Sequence, residues 1–173
     1  TPLKPKPPWT SDLKQPVMPD DWQTTTLGEV AVYHNGYPFK PKDLLGEALP
    51  VIRIRQLVDQ NEIPDRTDLK IRERHHIGNG DIIFSWSATL AVRVWDRGPA
   101  ILNQHLFKVI PSPETTGKFL ALLLDNSIAD LVEKSHGTTM KHITKKNLVA
   151  HVVSLPPLSE QRRIVDLVGA IDT

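Results

Sequence analysis

The chain contains no cysteine, which excludes disulfide bonds and thiolate metal sites and fits a reducing compartment. It also lacks long hydrophobic runs. No stretch of about eighteen apolar residues occurs, so we expect no membrane-spanning helix. At the N-terminus, prolines and lysines stand where a secretion signal would have an apolar core. With 39% hydrophobic residues and a mean hydropathy of -0.27, the 173 residues predict one soluble globular domain with a flanking segment.

A strong excess of positive charge is absent as well. The 21 basic and 20 acidic residues leave a formal net charge of +1 at pH 7. Since a strongly basic chain would indicate nucleic-acid binding directly, any such function must depend here on where the charges lie. Basic residues do cluster in three stretches of the sequence, which contain Arg53 and Arg55, then Arg66, Lys70, Arg72 and Arg74, then Lys141, Lys145 and Lys146.

The motifs that mark common enzymes are missing. There is no P-loop, no glycine-rich cofactor loop after a strand and no serine nucleophile elbow. Leu155-Pro-Pro-Leu is superficially similar to the Pro-Pro motif of DNA amino-methyltransferases, but it lacks the polar residue before the prolines and the aromatic residue after them. The histidines at 75, 76, 136 and 142 lack the spacing of a metal site on one helix face. We therefore predict no catalytic residue, no metal and no cofactor.

One enzymatic alternative stays open at this point. Asp65, Asp68 and Lys70 imitate the pattern of a metal-dependent nuclease, which would cleave DNA with Mg²⁺. In such enzymes the two acidic residues come from separate strands that lie well apart in sequence. The crowding of these three residues therefore favours coincidence.

The first half of the chain combines a proline-rich arm with a β-rich body. Residues 1–21 contain six prolines and three lysines, which predicts an extended arm or linker, and the folded part should begin near Trp22. Residues 27–33 predict a short helix or a strand-to-helix entry. The period-two pattern of residues 50–55 predicts a strand with Arg53 and Arg55 on one face. Further strands are predicted at 82–86, 90–95, 100–102 and 106–110, while 69–74 fits either a strand or an irregular basic segment.

The second half becomes helical. Apolar spacing over residues 116–133 predicts two helices or one broken helix, and Thr144 is a suitable N-cap for a short helix at 145–149. A strand at 151–155 and a last helix at 160–171 follow. The apolar stripe of that helix, Ile164, Val168 and Ile171, is still periodic where the sequence stops. We therefore expect the chain to be cut within a longer helix.

A hydroxyl-rich basic loop precedes the short helix. In Gly137-Thr-Thr-Met-Lys-His, the glycine lets the backbone approach a phosphate, and the side chains after it supply hydrogen-bond donors. Composition alone favours a plain polar loop whose threonines cap the next helix. The arginines Arg53 and Arg55 have a similar alternative role, which is to keep a strand face soluble. Trp86 and Trp95 could stack on bases, but they fit a hydrophobic core equally well.

The order of several landmarks resembles a known family. The series begins with Trp22 and Leu27-Gly-Glu-Val, and continues with Gly36, Pro50-Val-Ile-Arg-Ile, Gly80-Asp-Ile-Ile and Asn103-Gln. Its strongest parts are Ser135-His-Gly-Thr-Thr-Met-Lys-His-Ile-Thr and Leu155-Pro-Pro-Leu-Ser-Glu-Gln-Arg-Arg-Ile-Val. From Trp22 to about Val168, the chain resembles a target-recognition domain of a type I restriction–modification specificity subunit.

The resemblance implies a fold and a domain plan. The fold is α/β: a twisted, mostly antiparallel sheet or partial barrel flanked by small helices, followed by the start of a long spacer helix. The recognition domain would cover residues 22–157 and the spacer helix residues 158–173, with residues 1–21 outside the match. Full subunits of this kind carry two recognition domains. This chain would hold one of them, either as a fragment or as a half-length subunit that forms a homodimer through the spacer helix.

The resemblance also implies function and partners. Such subunits have no catalytic residues, and each recognition domain binds double-stranded DNA and reads one half of a split sequence. The implied protein partners are methyltransferase (modification) subunits, which the spacer helices position, and a translocase–nuclease subunit in the full complex. S-adenosylmethionine, ATP and Mg²⁺ would belong to those partner subunits. The implied location is the bacterial or archaeal cytoplasm, with no membrane partner.

Ten residues are expected to contact DNA, and they are Arg53, Arg55, Arg72, Arg74, Thr138, Thr139, Lys141, His142, Lys145 and Lys146. The lysines would bind phosphates, the other loop residues would approach the duplex beside them, and the arginines would contact bases or phosphates. A second hypothesis is a protein-interaction or assembly domain without intrinsic DNA binding. It predicts that the isolated chain shows no salt-dependent affinity for DNA.

Overall fold

The computed structural model of the chain describes residues 19–134 and 143–171, the last of these by its backbone alone. The strands are β1 (Gln23–Thr26), β2 (Ala31–Asn35), β3 (Leu49–Ile52), β4 (Arg66–Thr67), β5 (His76–Ile77), β6 (Ile82–Ser85), β7 (Ala91–Val94), β8 (Ala100–Leu102), β9 (Leu106–Pro111) and β10 (Val152–Leu155). The α-helices are α1 (Leu27–Val30), α2 (Ile54–Val58), α3 (Gly117–Lys134), α4 (Lys145–Val149) and α5 (Leu158–Ile171). Short 3-10 turns cover Pro41–Leu44 and Glu73–His75.

The strands of the described residues form three small sheets. One has the order β2-β9-β6-β7 and is antiparallel throughout. The second has the order β4-β3-β8-β5, with a single parallel pair between β3 and β8. The third is the antiparallel ribbon of β1 and β10. The predicted mixed fold with mostly antiparallel strands is confirmed, and in the described residues its strands are divided among three sheets that form no closed barrel.

Strand β6 lies at the centre of the core, and all four of its residues are buried. Ile82 and Phe84 belong to the cluster that α3 covers, whereas Ile83 belongs to a second cluster that includes Trp95 and Leu102. A strand with both faces covered needs apolar residues at successive positions, not at alternate ones. The apolar run at 82–86 therefore correctly predicts a buried strand, and Trp95 is a core residue.

Lys108 connects the two four-stranded sheets. It lies in β9, and its Nζ donates a hydrogen bond of 3.0 Å to the carbonyl of His76 in β5. The same ammonium group is 2.9 Å from the carboxylate of Asp81, which ends the turn before β6. Because the side chains of Lys108 and Asp81 are both partly buried, this ion pair is less exposed to water than an ordinary surface pair.

Helix α5 is fixed by one buried polar side chain. Gln161 is fully buried, and its Nε2 donates to the carbonyls of Glu114 at 2.8 Å and Pro156 at 2.9 Å. Its Oε1 accepts a hydrogen bond of 2.8 Å from the main-chain N–H of Thr116, just before α3 begins. The amide thus joins the start of α5 to the start of α3. Beyond this point, Ile164 and Val165 pack on the core cluster beneath α3.

The helical half follows the sequence pattern closely. The stretch 116–133, predicted as two helices or one broken helix, forms the single unbroken helix α3 (Gly117–Lys134), and Ser127 stays inside it by donating from Oγ to the carbonyl of Leu123 at 2.7 Å. The predicted short helix at 145–149 is confirmed, since the N–H of Asn147 donates to Oγ1 of Thr144 at 3.1 Å. No helix in the described part of the chain is long and apolar enough to cross a membrane.

The strand predicted over 50–55 is wrong in its second half. Strand β3 ends at Ile52, and Arg53 precedes helix α2 as its N-cap. The cause is Gln56, a buried residue whose side-chain Oε1 accepts from the N–H of Arg53 at 3.2 Å and whose Nε2 donates to the carbonyl of Ile63 at 3.2 Å. A glutamine three residues after the N-cap favours a helix start at that point. Arg53 and Arg55 therefore do not share a strand face.

Two ambiguous segments are resolved. Residues 27–33 form the short helix α1 followed by strand β2, so the helix comes before the strand. Residues 69–74 are irregular and lead into the 3-10 turn at Glu73–His75. They form no strand, and this leaves their basic side chains outside the sheets.

Gly36 follows β2 where two chain segments meet. The N–H of Gly36 donates to the carbonyl of Leu106 at 2.9 Å, and the next N–H, of Tyr37, donates to the carbonyl of Leu102 at 2.7 Å. A Cβ at residue 36 would overlap the main-chain carbonyls of Asn103 and Leu102. Only glycine fits this close contact between backbones.

Gln161→Ala should lower the free energy of unfolding by about 2–4 kcal/mol, because three main-chain groups lose their partner and some of them stay buried. Urea unfolding measures this loss. Gln23→Ala, at an exposed position of β1, is the matched control and should change stability by less than about 0.5 kcal/mol. Equal effects of the two substitutions would contradict the role given to Gln161.

Gly36→Ala should cost about 2–4 kcal/mol, since backbone atoms surround the position and cannot rotate away from the new methyl group. Gly78→Ala provides the control, because no other atom lies within 4 Å of the added Cβ there. Thermal unfolding of both variants tests the contact. A Gly36→Ala protein as stable as the Gly78→Ala protein would exclude it.

Candidate nucleic-acid interface

A basic groove lies beside the end of strand β2. It has a volume of about 700 Å³ and is lined by Tyr33, His34, Asn35, Gly36, Tyr37, Pro38, Leu69, Lys70, Ile71, Arg72, Arg74, His75 and Lys145. Among these described lining residues, four are lysine or arginine and none is acidic. The groove therefore presents a positive surface although the whole chain is almost neutral.

Three separate parts of the sequence build the basic groove. Strand β2 and the residues after Gly36 form one wall, and the irregular segment 69–75 forms the opposite wall. The third part is Lys145, the first residue of α4. Because Thr144 caps that helix, the position of Lys145 at its first turn is fixed.

Lys145 is held in place by neutral partners. Its Nζ donates a hydrogen bond of 2.7 Å to the carbonyl of Tyr33 in β2, which is an edge strand. The same nitrogen lies 5.9 Å from the ring centre of Phe107. A lysine ammonium carries three donors, so two remain for another acceptor. No acidic residue in the described part of the chain forms an ion pair with it.

Arg72 and Arg74 are exposed on the opposite wall. The Nε of Arg74 donates to Nε2 of His75 at 3.2 Å, and Nδ1 of His75 is 2.8 Å from the carbonyl oxygen of Asn35. The imidazole itself is buried. Burial is the main cause that lowers the pKa of His75 below its usual value, and the positive charges of Arg74, His76 and Arg72 lower it further.

The other predicted arginines have a different environment. Arg53 and Arg55 both pair with the carboxylate of Asp65, at 3.1 Å and 3.7 Å, and Arg55 lies 3.9 Å from Glu62. Neither lines the basic groove. Lys146 follows Lys145 in α4 and is exposed, but it does not line the groove either. Contact of these three residues with DNA stays a prediction.

The predicted loop residues Thr138, Thr139, Lys141 and His142 lie outside the described residues. The description resumes at Ile143, whose N–H donates to the carbonyl of Trp86 at 3.0 Å. The Trp86 ring in turn lies against His105 and Phe107, with ring centres 5.7 Å and 5.9 Å away. The loop therefore rejoins the body at the end of β6, two residues before the lysine of the basic groove.

The nuclease alternative loses its carboxylates to structural roles. Asp65 pairs with the two arginines, and Asp68 accepts hydrogen bonds of 2.8 Å from the N–H groups of Glu47 and Ala48, which lower its pKa. In the parts of the chain that the structure describes, no group of three or more histidines and carboxylates is placed to hold a metal ion. The two carboxylates are therefore engaged in contacts within the fold.

Several lining residues of the basic groove are not among the ten residues expected to contact DNA. The sequence places Lys70 in a basic cluster and in the nuclease-like pattern, and it excludes His75 from a metal site by its spacing. His34 and Tyr37 gave no signal, because their place beside the basic segment depends on a contact between distant parts of the chain. The spacing of Lys70, Arg72 and Arg74 at every second residue was the available clue.

The family of the chain follows from comparison with known proteins. Residues 19–173 match the model of the type I restriction modification DNA specificity domain. The chain belongs to this family. The relatives that match are named specificity subunits. Specificity subunits are the non-catalytic subunits of type I systems. The prediction that the chain has no catalytic residues agrees with this family.

Named relatives are much longer than this chain. It is 25% identical over 150 residues to the EcoBI specificity subunit of Escherichia coli, which covers 85% of the chain and 31% of that subunit. It is 26% identical over 163 residues to the MjaVIII specificity subunit of Methanocaldococcus jannaschii, covering 90% of the chain and 37% of that subunit. The chain thus spans about a third of the length of these relatives.

Solved structures show the same fold. The HsdS subunit of Thermoanaerobacter tengcongensis superposes with a TM-score of 0.68 at 23% identity, covering 92% of this chain and 40% of that one. A chain from a structure on complex assembly and conformational transition of a type I R-M system gives a TM-score of 0.70 at 24% identity, with the same coverages of 92% and 40%. The predicted resemblance to a specificity-subunit domain is confirmed.

Acid should weaken the fold through His75 and His151, because burial is the main cause that lowers the pKa of both imidazoles. Each ring is neutral in the folded protein, so the unfolded chain binds more protons once the pH falls below about 6.5. Stability is complete above that pH and is lost as the pH falls toward the lowered pKa values. Urea unfolding at a series of pH values should show this loss, with a smaller slope for His75→Gln. An unchanged slope in the variant would contradict it.

Proposed function

We propose that the chain binds double-stranded DNA in a sequence-specific manner and reads one part of a split target, without catalysis of its own. The observation that carries this proposal is the basic groove. Its lysines and arginines come from two distant parts of the sequence, the segment 69–75 and the start of α4, and have no acidic partner among the described residues. Uncompensated basic side chains in a groove attract a polyanion.

Three basic residues of the groove suit contacts with phosphate. Lys70, Arg72 and Lys145 are point or fork donors suited to phosphate oxygens, and such contacts fix the register of a protein on a duplex. The loop residues Thr138, Thr139, Lys141 and His142 adjoin Lys145 in sequence and belong to the same proposed surface. Three further residues are proposed as peripheral DNA contacts: Lys146, Arg53 and Arg55. The two arginines would exchange their ion pairs with Asp65 for contacts with a phosphate.

The remainder of the proposal concerns assembly. Helix α5 would continue as a spacer helix that positions methyltransferase subunits, and a second recognition domain would come from the rest of a longer chain or from a homodimer. In support, α5 leaves Leu158 and Leu167 exposed, the latter at 58%. Because a whole subunit engages two half-sites together, one domain alone should bind DNA with modest affinity.

The same exposed residues favour a second candidate, an assembly domain whose DNA contacts come from its partners. Exposed leucines on a helix next to a folded core are common at protein interfaces. This candidate gives no role to the basic groove. It predicts that the isolated chain binds duplex DNA no more strongly at low salt than at high salt.

Arg72→Ala should weaken binding to all duplexes alike and reduce the slope of log affinity against log salt by about 0.9, since one phosphate contact is lost. Fluorescence anisotropy with a labelled random-sequence duplex over a range of salt concentrations measures both quantities. Arg163→Ala is the matched control. It removes an equal charge from α5, where Arg163 faces Glu160 at 3.6 Å outside the groove.

The two outcomes separate the candidates. A reduced slope for Arg72→Ala with an unchanged slope for Arg163→Ala supports DNA binding through the basic groove. Equal slopes for both variants would place the DNA contact elsewhere. No salt dependence in the unmodified chain would leave the assembly domain as the better account.

A further inference from the structure

We propose that His75 is a positioning residue that holds the guanidinium of Arg74 ready to read one guanine of the DNA target. This inference deepens the proposed function and rests on it. It assigns different tasks to neighbouring arginines of the basic groove. Arg74 reads sequence, while Arg72 contacts the backbone of the duplex.

The hydrogen bonds of His75 permit a single arrangement. The carbonyl of Asn35, 2.8 Å from Nδ1, can only accept, so Nδ1 must carry the proton. Nε2 of the same ring, 3.2 Å from Nε of Arg74, then has a free lone pair and accepts from the guanidinium. Both contacts are satisfied only by the neutral imidazole with its proton on Nδ1. The tautomer is therefore fixed by the structure around it.

The carbonyl of Asn35 is itself held rigidly. It belongs to the last residue of β2, and the next two residues, Gly36 and Tyr37, are bound through their N–H groups to Leu106 and Leu102. The Tyr37 ring packs edge-on against His75, with ring centres 5.8 Å apart. Rotation of the buried imidazole is thus restricted from two sides. A fixed acceptor can in turn fix the arginine that donates to it.

Arg74 keeps the reading end of its side chain free. Its Nε is bound to His75, and neither terminal nitrogen has a hydrogen bond or ion pair within the described residues. Other arginines of the body use those nitrogens internally: Arg53 on Asp65, Arg66 on Ala48, and Arg97 on Gln56. The two terminal nitrogens of Arg74 form a planar fork beside the groove. A fork of this kind matches O6 and N7 of guanine in the major groove.

Holding Nε matters because an arginine side chain loses much rotational freedom when it binds. If one bond already orients the plane of the guanidinium, less of that loss falls on the contact with the base. Arg72 has no such acceptor beside it in the described residues, so it suits a phosphate, which accepts from many directions.

Two substitutions separate the two contacts of His75. Glutamine places its side-chain oxygen where Nε2 stood, so His75→Gln keeps an acceptor for Arg74 and loses the bond to Asn35. Asparagine places its amide where Nδ1 stood, so His75→Asn keeps the hydrogen bond to the carbonyl of Asn35 and loses the hydrogen bond from Arg74. Arg74→Lys retains the positive charge but removes the fork.

The experiment begins with selection of bound duplexes from a library with a random core, using the whole chain. Each base pair of the selected duplex is then replaced in turn, and relative affinities are measured at one salt concentration. We expect one guanine at which Arg74→Lys lowers discrimination about tenfold or more. His75→Asn should lose discrimination at the same guanine, and His75→Gln should retain most of it. Affinity for unselected duplexes and the salt slope should change little in all three variants.

Combining His75→Asn with Arg74→Lys tests that the two residues act together, since the double variant should be no worse than Arg74→Lys alone. Nitrogen-15 NMR of the free protein provides a test that needs no DNA and no substitution. The His75 ring should show its proton on Nδ1 at neutral pH, and a ring protonated on Nε2 would overturn the proposal.

The outcomes are distinguishable from those of the proposed function. If the unmodified chain shows no salt-dependent DNA binding, both proposals fail. If it binds a selected sequence and His75→Asn keeps full discrimination, DNA binding stands and the role of His75 is refuted. A loss of discrimination spread evenly over all base pairs would indicate a general structural role and also refute it.

Discussion

The attachment of the last helix, α5, to the rest of the fold depends on the buried side-chain amide of Gln161. It has two donors and one acceptor in use, all with main-chain groups, and these groups belong to the segments that enter α3 and α5. Apolar packing alone would let two helices slide along each other. Three directed bonds at a fully buried site set a single angle. Together with the packing of Ile164 and Val165, this side chain fixes the start of α5 against the start of α3.

The body shows a second use of directed polar contacts inside apolar surroundings. Strand β6 packs on both sides, so the two four-stranded sheets are held chiefly by non-directional burial. Lys108 adds the directed element between them. Lys145 makes another directed contact, at the edge strand β2. Its hydrogen bond to the carbonyl of Tyr33 holds a positive charge at the basic groove. The positive surface therefore rests on a body that does not need to move to present it.

Much of this structure could be predicted from local patterns. The apolar run of β6 and the cap at Thr144 depend on near neighbours, and the strand and the helix predicted from them are present. The helical spacing over 116–133 is also present, but in one unbroken helix rather than in two helices or a broken one. Arg53 and Arg55 were placed wrongly because period two in a short stretch cannot be distinguished from a helix start without knowing that Gln56 is buried. A partner at Ile63 decides that burial, and local periodicity does not contain it.

The site was only half predictable for a related reason. Positive residues are visible in any sequence, but whether they are already neutralised is not. Asp65 forms ion pairs with Arg53 and Arg55, whereas no carboxylate in the described part of the chain pairs with Arg72 or Arg74. The sequence excludes His75 as a metal ligand by its spacing and gives it no other role. Its contact with Asn35, forty positions away, exists only in the folded chain.

The joint at Gly36 has a consequence for how such a surface can change. Its contacts run from backbone to backbone, from residues 36 and 37 to residues 102 to 106, and no side chain carries them. The course of the main chain at this joint is therefore independent of the basic side chains of the groove, Lys70, Arg72, Arg74 and Lys145. A joint made by main-chain hydrogen bonds does not depend on which side chains lie beside it. If the groove binds DNA as proposed, replacing its basic residues would change the contacts with DNA while this backbone joint stays as it is.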